Sequence, residues 1–252
     1  MKIAIVGVGR LGSVFAKALS ENHELVLLDR DLVHAKEVAN ETGAKAEEDL
    51  EKALESDMVI VSVKPAHVEE VVRQVGNAQL LVSCAAGVPI RKLESWGGKT
   101  IIRIMPNICA QCNEAVIAYS LHPEAEKMEK RFLSAFSSLG LCLKTDESHL
   151  DPLTGASGSG PAFMAFFAEA MIEEAIRQGL DRELAEKAVA QTLVGTGKLM
   201  LSGWSTQKIT ETVASPGGTT EAGLKMLEGK SVHKAIHEAM HFAIAKAREL
   251  GK

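Results

Sequence analysis

Four cysteines in 252 residues, Cys84, Cys109, Cys112 and Cys142, are too few and too scattered to staple a fold of this size with disulfides. Reduced thiols are expected. The chain also lacks an excess of positive charge. Its 28 Lys and Arg stand against 33 Asp and Glu, a net charge of -5, and no basic cluster overrides that balance, so no nucleic-acid partner is expected. Long apolar runs are missing as well. None approaches the ~18 residues of a membrane span, and the apolar start MKIAIVGVG is short and broken by glycine, unlike a secretory signal. There is no internal repeat and no low-complexity segment. These absences lead to the expectation of a cytoplasmic protein that engages no membrane. With 46% hydrophobic residues, the chain can bury one large core or two ordinary ones.

As far as about Asp146, short β-branched runs (IAIVGV, ELVLLD, MVIVSV, LLVSCA, TIIRIMP) alternate with amphipathic stretches such as AHVEEVVRQV. Stacked βαβ units read this way, so the pattern predicts a parallel, doubly wound sheet of α/β class. Beyond Ser148 the β-runs stop. Helices are expected over Pro161 to Leu180, Arg182 to Leu201, Thr206 to Val213, Thr219 to Leu227 and Val232 to Leu250. The expected organisation is a Rossmann domain over 1–148 and an all-helical domain over 149–252. The first long helix, PAFMAFFAEAMIEEAI, is apolar nearly all round in its first turns, more than one small domain can cover, which points to burial against a second copy.

Gly7-Val8-Gly9-Arg10-Leu11-Gly12 follows the strand KIAIV and opens a helical pattern. In that context G-x-G-x-x-G is a dinucleotide fingerprint. The first glycine permits a tight turn, the second lets backbone N–H groups reach a pyrophosphate, and the third allows close helix-to-strand packing. The helix N-terminus adds partial positive charge. At the end of the second strand, Asp29 stands where an acid would bond the adenosine ribose 2'-OH, favouring NAD(H); Arg30 beside it could instead pair with a 2'-phosphate, so NADP(H) stays open.

The helical half carries two glycine-rich signatures at helix starts, Gly155-Ala-Ser-Gly-Ser-Gly-Pro161 and Ser215-Pro216-Gly217-Gly218-Thr219-Thr220. Each offers N–H donors and hydroxyls at a helix N-terminus, a way to hold a small anion without a dedicated cation. With GVGRLG, VKP at Val63 to Pro65, SCAAGV at Ser83 to Val88, RIMPN at Arg103 to Asn107, TGASGSGPAF and ASPGGTT in one chain, the sequence resembles the pyrroline-5-carboxylate reductases along essentially its whole length. It departs from the family pattern after RIMPN, where Ile108-Cys109 replace the usual Thr-Pro beside the expected nicotinamide wall.

The resemblance implies a homodimer, or a larger homo-oligomer built from dimers, and reduction of 1-pyrroline-5-carboxylate to L-proline by NAD(P)H, with NADH slightly favoured through Asp29. It also implies that the cofactor lies along Gly7, Gly9, Arg10, Leu11, Gly12, Asp29, Arg30, Val63, Lys64, Pro65, Ala86, Gly87, Met105 and Asn107. The substrate carboxylate would then lie on Ser215, Gly217, Gly218, Thr219 and Thr220. Thr220 is the expected catalytic hydrogen-bond partner of the ring nitrogen.

The same G-x-x-G-x-G spacing also marks β-hydroxyacid dehydrogenases, which follow it with a catalytic lysine where this chain has Met164. A ketone needs a general acid at the developing alkoxide; a cyclic imine can arrive already protonated and needs only positioning and exclusion of water. The missing lysine therefore favours C=N reduction. A different class is suggested by His237-Glu238-Ala239-Met240-His241, which matches H-E-x-x-H of zinc peptidases. A third ligand is lacking. His233 is one turn upstream, but three histidines along one straight helix rise over ~12 Å, too far to share a tetrahedral ion. Cys109 and Cys112 form a C-x-x-C without a second pair to complete a zinc site. No metal is expected. A non-enzymatic NAD-binding sensor is the remaining alternative class.

Overall fold

The computed structural model describes residues 1–250. Eight strands form one sheet: β1 (Lys2–Val6), β2 (Glu24–Leu28), β3 (Lys45–Glu47), β4 (Met58–Val61), β5 (Leu81–Ser83), β6 (Ile101–Met105), β7 (Ala115–Leu121) and β8 (Gly140–Lys144). Their spatial order is β3-β2-β1-β4-β5-β6-β7-β8. The chain winds outward from β1 in one direction, then crosses back to β4 and continues in the other, which is the doubly wound topology expected. The sheet is not wholly parallel, however. β7 runs antiparallel to β6, with Ile102 opposite Leu121 and Met105 opposite Ala118. β3, three residues reading KAE, and β8, led by Gly140, escape a reading based on β-branched runs, and so does β7, whose AVIAYSL mixes β-branched with small residues.

The central strands are apolar on both faces because both are covered. Ile3 and Ile5 of β1 point into one buried cluster, Ala4 and Val6 into the other. Over the first face lie α1 (Arg10–Leu19), α2 (Leu32–Thr42) and, beyond α3 (Val68–Val75) and α4 (Ile90–Ser95) in the chain, α5 (Glu129–Phe136). Phe15 of α1 meets Phe136 of α5 edge-on at 5.6 Å. The second face is sealed by α3, whose Val68, Val71, Val72 and Val75 recur at i, i+3, i+4 and i+7 and are all buried.

After β8 the chain is helical: α6 (Leu150–Leu153), a π-helical turn over Thr154–Gly158, α7 (Gly160–Arg177), α8 (Arg182–Leu201), α9 (Thr206–Val213), α10 (Thr219–Gly229) and α11 (Val232–Leu250). The chain divides into two compact units, Met1–Pro161 together with the residues from Phe242 on, and Ala162–His241. The strands thus end just before residue 148, yet the turns to Pro161 pack with the sheet. An ionic clamp accounts for this. Arg103, 6% exposed at the heart of β6, reaches Glu147 at 3.1 Å and Asp151 at 3.2 Å, and Glu147 also accepts the Ile90 N–H at 2.6 Å.

The second unit has a small core of its own: Ile172, Ala185 and Val189 are its buried apolar residues. On α7, Met164, Phe166 and Met171 are half or more exposed, and Leu201 at the end of α8 is 77% exposed. A surface this apolar on a lone domain requires a partner.

Candidate active site

At the carboxyl ends of β1 and β4, where the chain reverses its winding, a cleft of about 430 Å³ opens. Ligands of doubly wound sheets bind at such switch points. Gly7, Gly9, Asp29, Arg30, Val63 and Lys64 line it. The loop geometry explains two of the glycines. A Cβ on Gly12 would sit 2.0 Å from the Gly7 carbonyl oxygen, so only glycine lets α1 start this close to β1. A Cβ on Gly9 would meet nothing within 4 Å, because this residue faces the open cleft. Gly9 is also the N-cap of α1, and no side chain caps that end. The first N–H groups of α1 are therefore left for an external acceptor. These features fit a dinucleotide pyrophosphate.

The Asp29 carboxylate braces the loop. Its oxygens accept the Val8 N–H at 2.6 Å and the Asp31 N–H at 2.9 Å. A carboxylate has about four acceptor positions, so two hydrogen bonds leave capacity for a ribose hydroxyl. Arg30 is exposed and ion-paired with Glu70 of α3. Of the other expected cofactor residues, Arg10, Leu11 and Gly12 form the first turn of α1 and Pro65 opens a 3-10 turn over Pro65–His67. Ala86 and Gly87 follow β5, with Gly87 at φ +74°. Met105 ends β6 and Asn107 follows it. Those last two touch the glycine-rich turn. Asn107 donates from Nδ2 to the Ser157 carbonyl at 3.1 Å, and a Cβ on Gly158 would meet Met105 Cε at 2.5 Å. The Ser159 N–H bonds the Thr154 carbonyl at 2.8 Å, the wide i to i+5 closure of a π turn, a feature frequent at functional sites.

Sequence reading did not select Glu48, Ser62, His67 and Glu70, which also line the cleft. They come from separate elements with no motif linking them.

In the second unit the stretch Ser215–Thr220 folds as a β-turn followed by a helix start. The Gly218 N–H bonds the Ser215 carbonyl at 3.0 Å, Pro216 takes the second position, and Gly217 has φ +74°. This is the type II pattern, in which the third residue must have positive φ. The conformational demand falls on Gly217; Gly218 is extended, at φ -82° and ψ 171°. A Cβ at 218 would lie 2.6 Å from Ser215 Oγ, a hydroxyl that can rotate aside, and 3.0 Å from the Ser215 carbonyl oxygen, a tight contact with backbone. Gly218 is the N-cap of α10 and no side chain caps it, so the N–H groups of Thr219 and Thr220 open the helix as free-standing donors in the sense of helix geometry. Glu221 reaches back to accept the Gly217 N–H at 2.8 Å, a close variant of the capping box that its position three residues after the N-cap could have revealed. That N–H, and then Lys225, hold the Glu221 carboxyl below the usual carboxylate range.

Comparison with known proteins bears on what these parts do. Residues 147–250 match the family model described as pyrroline-5-carboxylate reductase dimerisation, and residues 2–87 match that of the coenzyme F420-dependent NADP oxidoreductases. The pyrroline-5-carboxylate reductase of Arabidopsis thaliana is 32% identical over 100% of this chain and 96% of its own. That of Methanosarcina acetivorans is 37% identical over 79% of this chain and 76% of its own. The chain belongs to the pyrroline-5-carboxylate reductase family. A solved pyrroline carboxylate reductase of Plasmodium falciparum with NADP bound superposes with a TM-score of 0.90 at 26% identity, covering 100% of this chain and 98% of that one. The cofactor of this reductase is a pyridine nucleotide.

In the H-E-x-x-H stretch of α11, Glu238 lies 3.9 Å from Lys234, and among the described residues no group of three His, Cys, Asp or Glu is placed to share a metal ion. Burial, and then the neighbouring Cys112, push the Cys109 thiol up, away from the reactive thiolate, while the Cys112 thiol donates to the Cys109 carbonyl at 3.2 Å. Among the described residues no helix is long and apolar enough to cross a membrane.

Proposed function

We propose that the cleft beside β1 and β4 takes the adenosine half of the cofactor, that Ser215–Thr220 take the carboxylate of 1-pyrroline-5-carboxylate, and that Thr220 hydrogen-bonds the ring nitrogen. The reaction is the family's: NAD(P)H-dependent reduction of the substrate's C=N bond to give L-proline. The observation that carries the residue assignment is the uncapped start of α10 behind a type II turn, which leaves the Thr219 and Thr220 N–H groups for an anion.

When bound, the reduced nicotinamide supplies the hydride. The chain has no catalytic lysine to supply, having Met164 at that position, and needs none. A substrate that enters protonated on nitrogen takes hydride at carbon and leaves as a neutral amine, so no proton must move during the step. What the residues contribute is orientation. The N–H groups of Thr219 and Thr220 fix the carboxylate, and the Thr220 hydroxyl oxygen accepts from the protonated ring nitrogen, which sets the imine plane.

NADH is the better donor in this account. A 2'-phosphate entering the cleft meets Asp29, Glu48 and Glu70 against Arg30 and Lys64, and Arg30 is already paired. Like-charge repulsion then disfavours NADPH. The expected kcat/KM is about tenfold higher with NADH, the ratio that ~1.4 kcal/mol produces. Separate initial-rate series with the two nucleotides decide it, and a higher value with NADPH would refute the preference.

A homodimer, obligate for activity, follows from the exposed apolar side chains of α7 and α8 over the small core of Ile172, Ala185 and Val189. Sedimentation with activity measured across a dilution series should show activity vanishing with the dimer; a fully active monomer would contradict this. The cytoplasm is the compartment we assign, on the strength of free cysteines and the reaction itself.

A further inference from the structure

The structure assigns cofactor choice to a residue outside the fingerprint: Glu70 of α3, by holding Arg30, keeps the cleft from accepting a 2'-phosphate. This rests on the reading of the cleft as the adenosine pocket. Three observations carry it. Arg30 and Glu70 both line the cleft and form an ion pair across it, from the end of β2 to the first turn of α3. Arg30 would otherwise be the natural phosphate ligand, since its planar fork matches phosphate oxygens and it directly follows Asp29. And Glu48 supplies a further carboxylate to the same cleft, so that a phosphate must both displace Glu70 from Arg30 and approach two acids.

Neighbouring Glu69 provides a built-in comparison. It carries the same charge on the same helix turn, but its carboxylate is engaged by Arg73, at 3.0 Å from Nε and 2.7 Å from Nη2, and it does not line the cleft. Neutralising Glu70 should release Arg30; neutralising Glu69 should only change net charge. Glutamine keeps the size and helix preference of glutamate, so folding is not at stake.

The experiment is a fluorescence titration of NADH and NADPH into the dimeric protein, for wild type, Glu70→Gln, Glu69→Gln, and Glu70→Gln combined with Arg30→Ala. The expected result is a fall in the NADPH Kd of about tenfold in Glu70→Gln, with the NADH Kd within about twofold of wild type, consistent with removing one unit charge at ion-pair distance in a partly solvated site. Adding Arg30→Ala should cancel the gain, and the NADPH affinity of Glu70→Gln should fall more steeply with salt than that of wild type. An unchanged NADPH:NADH ratio in Glu70→Gln, or an equal shift in Glu69→Gln, would overturn the assignment. Competition by 5'-AMP and 2',5'-ADP separates this from the underlying reading. If neither displaces NADH from wild type, the cleft is not the adenosine pocket and both fall; if 5'-AMP competes yet the ratio does not move, only the role of Glu70 falls.

Discussion

Gly12→Ala should cost this protein its cofactor. The added methyl would be placed 2.0 Å from the Gly7 carbonyl oxygen, a backbone atom that cannot rotate away. Relief requires α1 to lift off β1, and that moves the uncapped N–H groups out of line with a pyrophosphate. Overpacking of this kind costs about 1 to 3 kcal/mol in stability and often more when backbone is struck. The larger effect is on binding: NADH affinity should fall at least ~100-fold, since the helix N-terminus and loop act as one preformed site. Fluorescence titration with thermal denaturation alongside measures both. Gly9→Ala is the companion variant. Its methyl meets no protein atom, so the fold should stand while the methyl intrudes on the cleft and weakens NADH binding. Wild-type affinity in both would mean that this loop does not hold the cofactor.

Thr220→Val should damage catalysis and spare the nucleotide. Valine is nearly isosteric and leaves the turn and the N-terminus of α10 in place, removing one hydroxyl. By comparison with the loss of a single oxyanion-hole hydrogen bond, kcat/KM for 1-pyrroline-5-carboxylate should drop by about 2 to 4 kcal/mol, on the order of 30- to 1,000-fold, with the NADH Kd unchanged. Gly218→Val should be as harmful for a different reason. Its Cβ would lie 3.0 Å from the Ser215 carbonyl oxygen that closes the turn, and its methyls would crowd the donors at the start of α10, so the defect should be mostly in KM. Near-wild-type turnover in both variants would make Ser215–Thr220 a mere helix connection.

Both predictions draw on features that were partly legible in the sequence. The Rossmann half was readable because its strands are buried on both faces and therefore written as unbroken β-branched runs, and because G-x-G-x-x-G has a steric meaning that the contact between residues 12 and 7 makes concrete. The antiparallel β7 was not, since strand direction leaves no mark on the alternation of side chains. Helices α8 and α9 begin and end where their caps and periodicity suggest, with Asp181 and Ser205 accepting the N–H groups of Leu184 and Lys208. At the loop the sequence showed two glycines without telling their surroundings apart: Gly217 answers a backbone angle, while Gly218 is extended and close to the Ser215 carbonyl. The cleft's acidic lining was illegible altogether. Glu48 and Glu70 look like ordinary solvated charges until the segments after β3 and β4 are gathered at one edge of the sheet.

The most direct measurement of the account is the rate of NADH oxidation with 1-pyrroline-5-carboxylate beside that with 1-pyrroline, which has the same ring and C=N bond but no carboxylate. If the start of α10 holds that carboxylate, the donors are left unmatched by 1-pyrroline, and kcat/KM should favour the carboxylated imine by at least ~100-fold, a preference that Gly218→Val should largely erase. Equal rates with the two imines, or a preference that survives Gly218→Val intact, would contradict the placement of substrate on this loop.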